Sequence, residues 1–323
     1  MKAAAHRPDE SSDVESESRT AVAAALLGNL ALAILKAVAA AFTGSASMLA
    51  ETFHSVADTG NQVLLFVGMR LGQRPPDERH RFGHGKDVYF WAFVVSIMLF
   101  SLGGAFSIWE GVRHYLHPSE RQSLRWAYGV LAGSFVFEAI SLAVALRSLW
   151  GAKGTRTVGE YWRDTRDPTI VTVVCEDTAA LVSLFIAGAG IGIAQWTGNT
   201  LWDAAASALI GLILVGVAVF LAFENYSLLL GETAPSHVVR QIRQAIESAP
   251  GVRVLRDLRT MHLGPRSLLV VASVEFDPDL DGVTLPVAAA SVRARVGDVL
   301  RDMTNPRLIV IEPALGGRAQ RAA

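Results

Sequence analysis

The stretch ASMLAETFHSVADTGNQVLLFVGMR, residues 46–70, decides the fold. It has the length of a membrane-crossing helix, since a hydrocarbon core of about 30 Å takes about 20 helical residues. Yet it carries Glu51, His54, Asp58 and Asn61. At about 100° per residue these four fall within one stripe of the helix. His54 and Asp58 are neighbours one turn apart, as two ligands of a single ion would be. An ionisable side chain inside a span is costly and marks a functional site by default.

Five further apolar runs of spanning length lie at roughly 20–43, 88–112, 123–149, 168–196 and 201–224, which makes six in all. The linkers at 43–45 and 196–200 are short and lack basic residues, so they predict two tight helical hairpins. Loops rich in Lys and Arg stay cytoplasmic. The second-to-third loop holds Arg70, Arg74, Arg79, Arg81 and Lys86; the fourth-to-fifth holds Arg147, Lys153, Arg156, Arg163 and Arg166. The third-to-fourth loop has only Arg113, Arg121 and Arg125. Six crossings then place both termini in the cytoplasm.

Composition agrees with a membrane protein. Hydrophobic residues make up 51% of 323, and the net charge is −1. The 29 basic residues sit largely in loops rather than along one face, so no nucleic-acid partner is expected. The single cysteine, Cys175, excludes an intrachain disulfide and multi-cysteine zinc sites. Any metal site must be built mainly from nitrogen and oxygen. Residues 1–19 are polar and acidic, read as a disordered tail, and contain no cleavable signal peptide.

From about residue 232 the pattern becomes that of a small soluble domain. Val239, Ile242 and Ile246 recur at helical spacing over 236–248. Alternation over 252–261 and the run 268–276 predict a strand pair turning at Gly264-Pro265. A helix over 288–303 and a strand over 308–311 complete an αββαβ order, a two-layer α+β unit resembling a ferredoxin-like or metallochaperone-like fold. The expected fold class is thus six transmembrane helices followed by a small cytoplasmic α+β domain. Its parts are a tail at 1–19, the transmembrane domain at 20–229, the cytoplasmic domain at 230–315 and a disordered tail at 316–323.

The fifth run supplies Glu176 and Asp177, the only acids deep within it. Entering from outside, the second helix brings His54 about 12 Å and Asp58 about 18 Å into the core; entering from the cytoplasm, the fifth brings Asp177 about 14 Å in. All three lie near the midplane, where imidazole and carboxylate together suit a borderline metal ion. The competing reading is that His54 and Asp58 merely bond each other while Asp177 bonds a neighbouring helix. A second ligand set, Asp77, His80 and His84, lies in the basic loop DERHRFGHGK at 77–86, which could instead anchor lipid headgroups.

The motifs GSASMLAE at 44–51 running into His54 and Asp58, FGHGK at 82–86 and EDTAA at 176–180 resemble those of the cation diffusion facilitator (zinc transporter) family. The resemblance covers nearly all the chain after the tail. It implies a homodimer in a lipid bilayer that moves Zn2+ or another divalent metal outward in exchange for protons. A His/Asp quartet on the second and fifth helices would hold the transported ion, and His54, Asp58 and Asp177 match three of its members. The fourth would fall at Val173, which cannot bind metal, so it must come from Glu176, a water or another helix. Asp77, His80 and His84 match the family's second metal site, where Zn2+ would be regulatory. The C-terminal domain offers only His237, His262 and Glu312, so the family's paired site there is expected to be degraded or absent.

The Glu176-Asp177 pair, 167–169 before it and YFWAF at 89–93 resemble the mitochondrial zinc-transporter-like branch and its bacterial relatives. Because no transit peptide precedes the first helix, the expected location is the plasma membrane. His114, His117, His237 and His262 read as ordinary surface histidines, and Lys36 as a side chain reaching toward the outer interface. No enzyme is expected, since the His-Glu-x-x-His pattern of a metalloprotease is missing. Two alternatives stay open: an exporter of manganese, iron, cobalt or nickel, and a metal sensor that no longer transports.

Overall fold

In a computed structural model, residues 9–118, 124–164, 168–265, 267–301 and 308–314 are described. The elements are α1 (Asp9–Thr43), α2 (Ala46–Gly72), α3 (Asp87–Leu116), α4 (Leu124–Lys153), α5 (Val158–Asp164), α6 (Pro168–Thr197) and α7 (Leu201–Leu230). There follow α8 (Ser236–Glu247), β1 (Val252–Gly264), β2 (Ser267–Phe276), α9 (Thr284–Val299) and β3 (Leu308–Pro313). All six apolar runs are helical, in α1 to α4, α6 and α7.

Two expectations need correction. Among the described residues, five helices rather than six are long and apolar enough to cross a membrane. The sixth, α2, has 27 residues, but Glu51, His54, Asp58, Asn61 and Gln62 pull its average apolarity down. Residues 9–19, expected as disordered tail, belong to α1. An acidic composition suits the start of a helix, whose N-terminal end favours negative charge, as well as it suits disorder. The fourth-to-fifth linker contains the short helix α5, where Glu160 accepts from the Thr157 N–H and Thr157 Oγ1 accepts from the Glu160 N–H, a reciprocal cap. The tail segments 1–8 and 316–323, together with Arg121, Arg166, Asp167 and Met303, lie outside the described residues.

The chain divides into two compact units: Met1–Phe66, Val94–Ser148 and Thr172–Ala222 form one; Val67–Phe93, Leu149–Val171 and Phe223–Ala323 form the other. In the first, helices meet at small residues, as they must where burying Leu against Leu yields nothing over lipid. A Cβ at Gly211 would lie 2.7 Å from the Gly104 carbonyl oxygen, and one at Gly190 would lie 2.4 Å from Ala206 Cβ. The periphery exposes Ile34, Phe42, Val136, Ile140, Val144, Phe185 and Leu212, an apolar surface suited to lipid. Both tight hairpins are present, with Gly44 (φ 61°) and Gly198 (φ 68°) in the left-handed region just past the ends of α1 and α6. Within α3, residues Leu99–Ala105 form a π-helical segment, a local widening beside Gly103 and Gly104.

The second unit contains a sheet of order β1-β2-β3, with β1 and β2 antiparallel and β2 and β3 parallel. Leu255, Leu268, Val270, Ala272 and Val274 of the sheet pack with Ile242 and Ile246 of α8 and Val292 and Val296 of α9. The expected αββαβ order is therefore present. Helix α9 starts four residues before the expected 288, because Asp281 accepts the Val283 and Thr284 N–H groups at 2.9 and 2.8 Å and caps it there. In the same unit, the backbone of Gly85 lies against the β1–β2 turn: a Cβ on Gly85 would be 2.5 Å from the Leu263 carbonyl oxygen. Next to it, Lys86 Nζ donates to the Leu229 carbonyl at 3.1 Å, satisfying a carbonyl in the last turn of α7.

Candidate metal-transport site

The stripe on α2 is turned into protein. Glu51, His54 and Asn61 are fully buried, and Asp58 is 14% exposed. Burial follows from cost, since these groups would otherwise face hydrocarbon. His54 Nε2 lies 3.4 Å from Asp58 Oδ2. That is outside good hydrogen-bond geometry, and among the described residues both ring nitrogens of His54 and Asp58 Oδ1 have no hydrogen-bond partner. A buried imidazole with two unused nitrogens is expensive unless something else uses it.

Helix α6 meets this stripe through Glu176. The Asn61 side-chain amide donates to Glu176 Oε1 at 2.6 Å. Asp177, one residue on and about 100° round the helix, accepts instead from Ser141 Oγ of α4 at 2.8 Å. Of the two acids, then, it is Glu176 that bonds to α2. The ligand atoms of His54, Asp58, Glu176 and Asp177 do not converge as tightly as those of the loop group described below.

Two further features escaped the sequence reading. Glu138, on α4 one turn before Ser141, is 6% exposed, and with Glu176, Asp177 and Lys36 it acts on Asp58 through space. An acid inside an apolar run was the signal, the same one that marks Asp58. Lys36 does not reach the outer interface; it is fully buried and donates to Glu51 Oε2 at 3.0 Å and Ser55 Oγ at 2.7 Å. The position of Glu51 in the stripe explains the difference, because a buried ammonium goes to an available carboxylate.

At the N-terminal end of α2, Asp203 of α7 caps the helix. Its carboxylate accepts from Ala46 N (2.9 Å), Ser45 Oγ (2.9 Å), Ser47 N (3.4 Å) and Ser47 Oγ. This accounts for the two serines of the 44–51 motif. His114 lies 3.9 Å from the same carboxylate and is 4% exposed, so it is no surface histidine. His262 is likewise buried, at the end of β1, while His117 is exposed.

The three loop residues named from the sequence lie close together. Among the described residues, Asp77, His80 and His84 are the one group whose potential ligand atoms lie together, all within 4.8 Å. Asp77 Oδ1 accepts from the N–H groups of Arg79 (2.8 Å) and His80 (2.6 Å), and His84 Nε2 lies 3.0 Å from Oδ2. The His80 N–H first, and then the His84 ring, hold the Asp77 carboxyl below the usual carboxylate range. The donor set of two imidazoles and one carboxylate fits a zinc-like ion. From residue 232 onward no comparable group appears among the described residues.

Residues 22–230 match the cation efflux transmembrane domain. The chain is 37% identical to the mouse "Proton-coupled zinc antiporter SLC30A9, mitochondrial" over 239 residues, which are 73% of this chain and 42% of that protein. It is 32% identical to "Metal tolerance protein C4" of Arabidopsis thaliana over 81% of this chain and 58% of that one. With the "Cation-efflux pump FieF" of Klebsiella pneumoniae it shares 27% identity over 86% and 87% of the two chains. The chain thus spans less than half the length of the mouse relative. The expected plasma-membrane location does not stand: relatives from mouse, frog and human at 35–37% identity are named as mitochondrial. That expectation rested on what precedes the first helix, which says little about the membrane a helix bundle enters. The polar stripe of α2, the acids of α6 and the match across all the apolar helices agree, and the chain belongs to the cation efflux family.

Proposed function

We propose that this chain is a divalent-metal exporter that moves zinc in exchange for protons through a midplane site formed by His54, Asp58 and Glu176, with Asp177 beside them. The observation that carries this reading is His54, a fully buried imidazole with both nitrogens unpartnered, 3.4 Å from a carboxylate. Buried polar groups without partners are rare and costly, and a ligand that arrives and leaves accounts for them. The names of the mouse, frog and human relatives support zinc and a proton couple and favour a mitochondrial membrane, and that of the plant relative supports a metal as the cargo.

In this reading α2 crosses the membrane with the five apolar helices, its stripe shielded by α1 and α6. With the site open on one side, metal displaces protons from its ligands, because each must be deprotonated to bind. Once the helices rock and expose the ion to the other side, protons return, weaken its binding and release it. Asp77, His80 and His84 hold a second, regulatory ion, and two copies of the chain pair as a homodimer.

The test is zinc flux into sealed vesicles containing the purified protein. Flux should rise with an imposed pH gradient of the right direction and stop in His54→Ala. Flux indifferent to the gradient removes the proton couple. No metal flux at all removes the transporter reading.

A further inference from the structure

The stripe on α2 offers one more carboxylate than the site described above uses. Glu51 stands one turn before His54, is fully buried, and has Oε1 without a hydrogen-bond partner. Its other oxygen is 3.0 Å from Lys36 Nζ, and the same ammonium donates to Ser55, the neighbour of His54, at 2.7 Å. Both members of the ion pair are 0% exposed. A buried pair of this kind adds little stability over an apolar pair, so its presence in a span calls for another role.

We propose that Lys36 is a tethered counter-cation that keeps Glu51 out of the transported ion's coordination sphere, making it a positioning and affinity-setting residue for the site. The inference rests on the transport reading above. With the ammonium in place, Glu51 is neutralised and turned toward α1. The ion is left to His54, Asp58 and the α6 acids, and the two hydrogen bonds of Lys36 fix the α2 turn that carries His54. Without the ammonium, Glu51 is an uncompensated carboxylate one turn from the ion, free to become an additional ligand. Binding then tightens, and an exporter that must also let go slows.

Opposite signs are the signature. Lys36→Met should bind zinc about 10- to 100-fold more tightly, the range over which groups that orient metal ligands act, and should transport more slowly. Glu51→Gln leaves the ammonium beside the site without its partner and should weaken binding by a similar factor. Lys36→Met/Glu51→Gln removes both charges and should return affinity and flux toward those of the unaltered protein, and Lys36→Arg should resemble it too. The readouts are zinc affinity of the purified full-length protein by calorimetry and zinc flux in vesicles. If the two single variants shift affinity in the same direction, or the double variant is no better than either, the pair is only structural and the proposal fails. Should Lys36→Met not fold, Glu51→Gln and Lys36→Arg decide the matter, since unchanged affinity in Glu51→Gln is equally fatal. Absence of zinc binding by the unaltered protein removes the transport reading along with this one, whereas normal binding there with unshifted variants removes this one alone.

Discussion

Glu176 and Asn61 are joined by a 2.6 Å hydrogen bond between α6 and α2, so the acid of the Glu176-Asp177 pair that bonds the polar stripe is the first. Substituting Glu176 by Gln should therefore lower zinc affinity by about 10- to 100-fold. Asp177→Asn, which alters a carboxylate bonded to Ser141, should have the smaller effect on affinity. Calorimetric titration of both variants checks the order, and the reverse order would place Asp177 in the site.

His54 is buried at a cost, because neither ring nitrogen is bonded. Residues kept for function often hold stability down. The His54→Leu variant should lose zinc transport while its thermal unfolding in detergent is unchanged or raised, the gain being up to about 1–3 kcal/mol from removing unsatisfied polar atoms. A clear drop in melting temperature would mean that His54 has a structural partner.

Asp203 holds the first turn of α2 from α7 through Ser45, Ala46 and Ser47. Asp203→Ala leaves buried donors unpaired and removes a helix cap, which together cost about 1–3 kcal/mol. It should lower the melting temperature and loosen α2. Protection of the 46–50 amides in hydrogen exchange should fall, with zinc binding lost only as a consequence.

Asp77 takes two backbone N–H groups and is held below the ordinary carboxylate range. Because its folded value lies below the free value of about 3.9, its contribution to loop order is fully present above that value. It is lost only as pH falls through the depressed value. The amide signals of Arg79 and His80 should hold their positions down to pH 4 and shift only in stronger acid. A midpoint at or above 3.9 would mean that the turn is not formed.

Much of this arrangement was legible from period and cost. Apolar runs located the helices, and a stripe at 100° spacing singled out His54 and Asp58, which the structure turns into protein 3.4 Å apart. What stayed hidden depends on rotation and on partners from distant helices. Whether Glu176 or Asp177 bonds to α2 is a matter of helix rotation that two adjacent acids leave open. Lys36 could reach an interface or a carboxylate, and only the packing of α1 against Glu51 decides. Asp203 stands 158 positions from Ser45, beyond any local pattern. Glu138, by contrast, was visible by the rule that found Asp58.

Gly85 and the β1–β2 turn touch backbone to backbone, with no side chain between them to give way. His84 is one residue earlier, so a displacement of the 77–86 loop would press directly on the 264–265 turn. A spin label or fluorophore at position 265 would thus report from a distance whether zinc added to the protein changes the loop that carries Asp77, His80 and His84.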